Sequence, residues 1–189
     1  MILFEAVIIG LLLSLVTGGS LRNLEQERLR GEWLLFVLLP LQLLWPKVSQ
    51  MLGAACGVSV SVWLLMMVSL VAVLAVNVRR RWVLAVAALG IALNIAVIAA
   101  NGAMPVSMRA VSELGAPRSE ARQAFERDCL HEELVVETRL ASLADVIAIP
   151  GPEWQRAVVS VGDLLLALGL GGWVFADSRS AANPKLRTE

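Results

Sequence analysis

Five stretches of this chain are apolar on every helical face: Ile2 to Val16, Trp33 to Trp45, Val58 to Val76, Trp82 to Ala100 and Val158 to Ala176. Crossing a hydrocarbon core about 30 Å thick takes roughly 20 apolar residues in a helix. The pattern therefore predicts five transmembrane helices, at 2–17, 31–47, 56–78, 82–101 and 158–176, in one membrane domain covering 1–189. The second run is the weakest. It is short and interrupted by Pro40, so it must borrow flanking residues, thin the bilayer or re-enter it.

Between the fourth and fifth runs, over 102–157, the pattern changes. Pro117 and Ser119 can open a helix, with Ser119 offering an N-cap oxygen. From Glu120 to Asp145, Ala121, Ala124, Phe125, Leu134, Leu140, Leu143 and Ala144 are spaced among charges, which predicts one or two amphipathic helices lying on the membrane. They should end where Ile149-Pro150-Gly151-Pro152 forbids continuation. A floppy loop is the alternative, but the apolar fraction is high for disorder. The expected class is all-α: an integral membrane bundle with an extracytoplasmic amphipathic segment.

Composition agrees. The 189 residues are 58% hydrophobic and only 17% charged, with a mean hydropathy of +0.73, outside the range of ordinary soluble domains. Net charge is zero and the basic residues are scattered, which excludes a nucleic-acid footprint and leaves the bilayer as the expected partner. The first run is read as a retained helix and not a secretory signal, because Glu5 stands where a cationic n-region belongs and Thr17-Gly18-Gly19 is a poor cleavage site.

Basic residues in short loops set orientation. Arg22, Arg28 and Arg30 follow the first run, Arg79, Arg80 and Arg81 the third, and Arg179, Lys185 and Arg187 the fifth; the short loop after the second run has only Lys47. The N-terminus is then outside, the tail at 177–189 cytoplasmic, and 102–157 extracytoplasmic.

That topology brings the awkward polar groups to one side. Asp163 heads the fifth helix with Ser160, Glu5 lies in the first turns of the first, and Gln42 is near the outer end of the second. Asn101 ends the fourth, with Asn94 about 10 Å deeper on nearly the same face. Polar groups inside a membrane face the bundle interior and find one another. The plain alternative is hydrogen-bonded glue between helices, with Ser160 and Asp163 merely capping. The turn Asn101-Gly102-Ala103-Met104-Pro105-Val106 should hold the Asn101 amide in place, since Asn-Gly tolerates positive φ and Pro105 prevents immediate return to helix.

His131 opens His131-Glu132-Glu133-Leu134-Val135, where valine replaces the second histidine of a zinc helix. No metal site is assigned. His131 is a solvated surface residue, a general base, or a metal ligand beside Asp145, Glu132 or Glu133, and the apolar neighbours of Asp145 raise its carboxyl pKa unless a partner is near. Asp145 is the natural second carboxylate for Asp163. Cys56 and Cys129 both fall on the outer side, where a disulfide is compatible with the compartment.

Taken together, several motifs resemble a family of small bacterial multi-pass membrane proteins known as a domain of unknown function. They are Gly18-Gly19-x-Leu21-x-Asn23-Leu24, Asn101-Gly102-x-Met104-Pro105-Val106, His131, Asp145-Val146-Ile147 with Pro150, and Ser160-Val161-Gly162-Asp163. Ala103 and Ala148 stand where the family pattern has glycine and proline. The resemblance implies location and an outer-face motif set, with Gly102, Met104, Pro105, Pro150 and Gly162 as structural members, and implies no activity or cofactor.

The leading expectation is a non-catalytic protein whose outer-face pocket, built from Asn101, Asp145 and Asp163 with His131, Glu5, Asn94 and Ser160, binds a lipid headgroup, ion or partner membrane protein. The alternatives are a membrane hydrolase or transferase in which Asp145 and Asp163 act as acid and base, with Asn101 and His131 orienting substrate, and a small transporter component with a polar path marked by Asn77.

Overall fold

The computed structural model describes residues 2–26, 29–79 and 81–180. Arg28, Arg80, Lys185 and Arg187, which carry part of the orientation argument, lie outside the described residues. Among the described residues the chain forms α1 (Ile2–Val16), α2 (Leu21–Gln26), α3 (Glu32–Met51), α4 (Cys56–Asn77) and α5 (Leu84–Asn101). Next come β1 (Met104–Val106), α6 (Met108–Glu113), α7 (Arg118–Asp128), β2 (His131–Glu133), β3 (Ile147–Ile149), β4 (Ala157–Val159) and α8 (Val161–Ser180).

Four helices, α3, α4, α5 and α8, are long and apolar enough to cross a membrane, while α1 is a shorter apolar helix. At 15 residues it is about 22 Å long. The second run is continuous helix: α3 passes through both Pro40 and Pro46 and borrows Val48 to Met51 at its end. Trp45 holds it to α4, its Nε1 donating to the Ser59 carbonyl at 3.0 Å and hydroxyl at 3.1 Å.

Small residues place α8 at the centre. A Cβ on Gly171 would stand 2.6 Å from the Ala6 carbonyl oxygen, so α1 packs backbone against backbone. On the other side α5 lies equally close, where Ala87 meets Gly169 and Gly90 meets Gly162. Such close approach suits helices in lipid, where hydrophobic association has little to offer and van der Waals contact decides. Ala6 beside Gly171 and Ser14 beside Ser178 make α1 parallel to α8, whereas Asn94 beside Ser160 and Ala87 beside Gly169 make α5 antiparallel to it.

At the end of the bundle remote from β1, polar groups are locked together. Buried Asp177 pairs with Arg81 and accepts from Trp173 Nε1 at 2.6 Å. Asn77 donates to the carbonyls of Arg30 and Val73 at 3.0 and 2.7 Å and accepts from Arg30 N–H at 2.9 Å. Asn23 donates to the Ser178 carbonyl at 2.7 Å. Between this end and Asn94 lie buried Met67, Leu70, Leu74, Leu84, Ala87 and Ile91.

Residues 102–160 form a cap over the other end. Helix there is shorter than expected: α7 stops at Asp128, and its N-cap is Pro117 instead of Ser119. Cys129 adopts a left-handed φ of 57° and is joined to Cys56 by a disulfide, with Cα atoms 5.2 Å apart. The chain then becomes extended because β1 supplies backbone partners. β2 pairs parallel with β1, Asp145 bridges to Val106 in the same sense, and β3 pairs antiparallel with β4. Met104 N–H donates to the Leu130 carbonyl at 2.8 Å, and Asp145 N–H to the Pro105 carbonyl at 3.0 Å. The expected amphipathic helices thus reduce to α7. His131–Leu134, Arg139 and Asp145 are held by hydrogen bonds to distant segments, which helical periodicity does not report, and Ala141–Leu143 is a single 3-10 turn.

Candidate functional site

The head of α8 is built by a reciprocal cap. Asp163 N–H donates to Ser160 Oγ at 3.0 Å, and Ser160 N–H donates to Asp163 Oδ2 at 3.1 Å, a capping box with aspartate in the glutamate position. Asn94 of α5 closes the ring. Its Nδ2 donates to Asp163 Oδ1 at 2.8 Å, and its Oδ1 accepts the Ser160 hydroxyl at 2.9 Å. Gly162 makes this possible, since any Cβ there would collide with the Asn94 amide. The capping and helix-joining roles are therefore filled by the same three side chains.

Beside the ring is a cavity of about 150 Å³, lined by Trp63, Asn94, Ile98, Met104, Leu130, His131, Asp145 and Asp163. Asp145 is delivered by its backbone pairing to β1, and His131 by its register opposite Met104. The Phe125 ring lies near the imidazole, their centroids 6.1 Å apart. Asp145 is only 6% exposed, and its Oδ1 has no hydrogen-bond partner among the described residues. Burial pushes its carboxyl from an ordinary 3.8 up to about 7; the Asp163 charge adds to the rise and His131 opposes it.

The two carboxylates differ in kind. Both oxygens of Asp163 are held, whereas Asp145, which lines a space large enough for a small molecule, keeps one buried oxygen without a partner. A buried polar atom of that sort is costly unless something meets it.

Of the residues singled out from sequence, Asn94, His131, Asp145 and Asp163 meet at the cavity, and Ser160 supports it through Asn94. Asn101 does not line it. Its Nδ2 donates to the Val97 and Arg139 carbonyls at 2.8 and 2.9 Å, and its Oδ1 accepts Arg139 N–H at 2.9 Å, so the amide splices 139 onto the end of α5. Glu5 also stands apart: its neighbour Ala6 packs at Gly171, eight residues along α8 from Asp163, about 12 Å deeper. Gly102 is the left-handed cap of α5, with φ 94°. Met104 and Pro105 form β1, and Pro150 opens the loop between β3 and β4.

Trp63 and Leu130 were not anticipated on the wall. Trp63 carried a signal, being a tryptophan well inside an apolar run when membrane tryptophans gather at interfaces. Leu130 carried none. Among the described residues no group of three or more His, Cys, Asp or Glu side chains is arranged to hold a metal ion.

No curated protein and no solved structure matches this chain. A family of unknown function, DUF5317, matches residues 26–175. That range contains the whole cavity wall and omits α1. The chain belongs to DUF5317.

Proposed function

We propose that this chain is a non-catalytic, multi-pass protein of the bacterial cytoplasmic membrane whose cavity, on the outer face, binds a small polar ligand: a lipid headgroup, an ion or a side chain of a partner membrane protein. The observation that carries the reading is Asp145, buried to 6% exposure with an unpartnered Oδ1 at a cavity it shares with Asp163, His131 and Asn94.

Two observations support placing the cap outside. The Cys56–Cys129 disulfide belongs in an oxidising compartment, and Arg22, Arg30, Arg79 and Arg81 lie toward the opposite end of the bundle. With α1 parallel to α8, five spans carry the N-terminus out and the C-terminus in. The short α1 then requires local thinning or tilt of its neighbours.

Native mass spectrometry of the intact protein released from detergent tests the reading, comparing wild type with Asp145→Asn and with Ile98→Trp, which fills the cavity. A bound species present in wild type and lost in both variants is expected. Identical spectra for all three would remove the binding role.

A second reading, a membrane hydrolase or transferase, is favoured by one feature: a carboxyl near pKa 7 facing a second carboxylate has the protonation pattern of an acid–base pair. The three hydrogen bonds that fix Asp163 argue for a structural anchor more than for a moving proton carrier. Transport by this chain alone has little support, because a packed apolar belt separates Asn94 from Asn77.

A further inference from the structure

We propose that the ligand of this cavity is a small organic ammonium, seated with its charged nitrogen between Asp145 and Asp163 and its carbon body against Trp63. The inference rests on the binding role proposed above and names the chemistry of the ligand. No lysine or arginine lies on the wall, so apart from His131, which faces two carboxylates, nothing there answers a phosphate or carboxylate. Two acids share a space of about 150 Å³, and a compact cation there would offset the buried Asp145 carboxyl, one of whose oxygens lacks a partner.

A bare divalent ion fits less well, because no three-ligand acidic or imidazole group is present among the described residues. Trp63, Ile98, Met104 and Leu130 make the remaining wall apolar, which suits carbon better than a hydration shell. An aromatic face also attracts a cation held within about 6 Å. An engineered cavity of similar volume holds benzene, so a molecule of about six heavy atoms is accommodated. Ethanolamine meets these limits, either free or as a phospholipid headgroup.

Asp163 from α8 and His131 from β2 are the titratable groups facing Asp145 across the cavity. Above about pH 7 Asp145 is ionised, so the cavity is most anionic there. Ammonium affinity should rise about tenfold per pH unit between pH 5 and 7 and then level off.

The test is isothermal titration calorimetry on the full chain in detergent at pH 8, with ethanolamine, its uncharged analogue ethylene glycol, and inorganic phosphate. Saturable binding of ethanolamine, absent for ethylene glycol and weakened at least tenfold in both Asp145→Asn and Trp63→Leu, is expected. Each variant is checked for an intact melting transition, and Asp145→Asn removes only a charge. Nanodiscs separate the sources. Phosphatidylethanolamine that abolishes the ethanolamine signal, where phosphatidylglycerol does not, assigns the headgroup; undiminished signal in both assigns a soluble amine. Asp145-dependent binding of phosphate, or equal binding of ethylene glycol, overturns the ammonium and leaves the pocket. No binding in any arm, with no retained species in native spectra, overturns both.

Discussion

Asn94 Nδ2 donates to Asp163 Oδ1 at 2.8 Å, joining the middle of α5 to the first turn of α8. Asn94 is 6% exposed, and Ser160 enters the same ring at 0%. Shortening Asn94 leaves a carboxylate oxygen and a hydroxyl without partners. Asn94→Ala should therefore cost about 2–3 kcal/mol, the range for hydrogen bonds to charged groups, read as a lowered thermal midpoint. Asn94→Asp should be worse, placing a second carboxylate against Asp163. A midpoint unchanged by either substitution would show that the ring holds nothing together.

Asp145 makes stability depend on pH in an unusual direction for an acid. Its folded pKa of about 7 lies above its ordinary 3.8, so the folded state holds the proton more tightly than the unfolded one. Stability is greatest below about pH 4, falls as pH rises toward 7 and is flat above it, an effect of at most about 4 kcal/mol. In Asp145→Asn that slope should vanish and the midpoint at pH 8 should rise. Parallel profiles for wild type and variant between pH 5 and 8 would contradict the assignment.

The Cys56–Cys129 disulfide closes a 73-residue separation, which by chain entropy contributes about 4 kcal/mol. It also fixes Cys129 in its left-handed conformation, directly before Leu130 and His131 on the cavity wall. Cys129→Ser should lower stability by up to that amount and speed hydrogen exchange across Leu130 to Glu133. Unchanged exchange there would mean that the strand pairing, and not the covalent link, orders this wall.

Asn101 separates support of the fold from binding. Asn101→Ala removes three hydrogen bonds, two of which tie Arg139 to α5, and should cost about 1–2 kcal/mol, with faster exchange at the Arg139 amide. Because its amide does not line the cavity, ethanolamine affinity should change less than about threefold. A tenfold loss would return Asn101 to the site.

Hydrophobicity is local, so the chain itself declared its apolar runs and the approximate ends of α4 and α5. It also placed Asn94, Asp145, His131 and Asp163 near one end of the bundle. Two readings failed for a shared reason. Asn101 lies on nearly the same face as Asn94, yet its amide is claimed by Arg139, 38 positions away. The region after Asp128 carries helix-compatible residues, yet His131–Glu133 is extended because Met104, Pro105 and Val106 offer it backbone partners. Trp63 reaches the cavity only because α4 packs on α5. Which acid is held and which is left open depends on hydrogen bonds between distant segments, and no window of sequence contains both ends of such a bond.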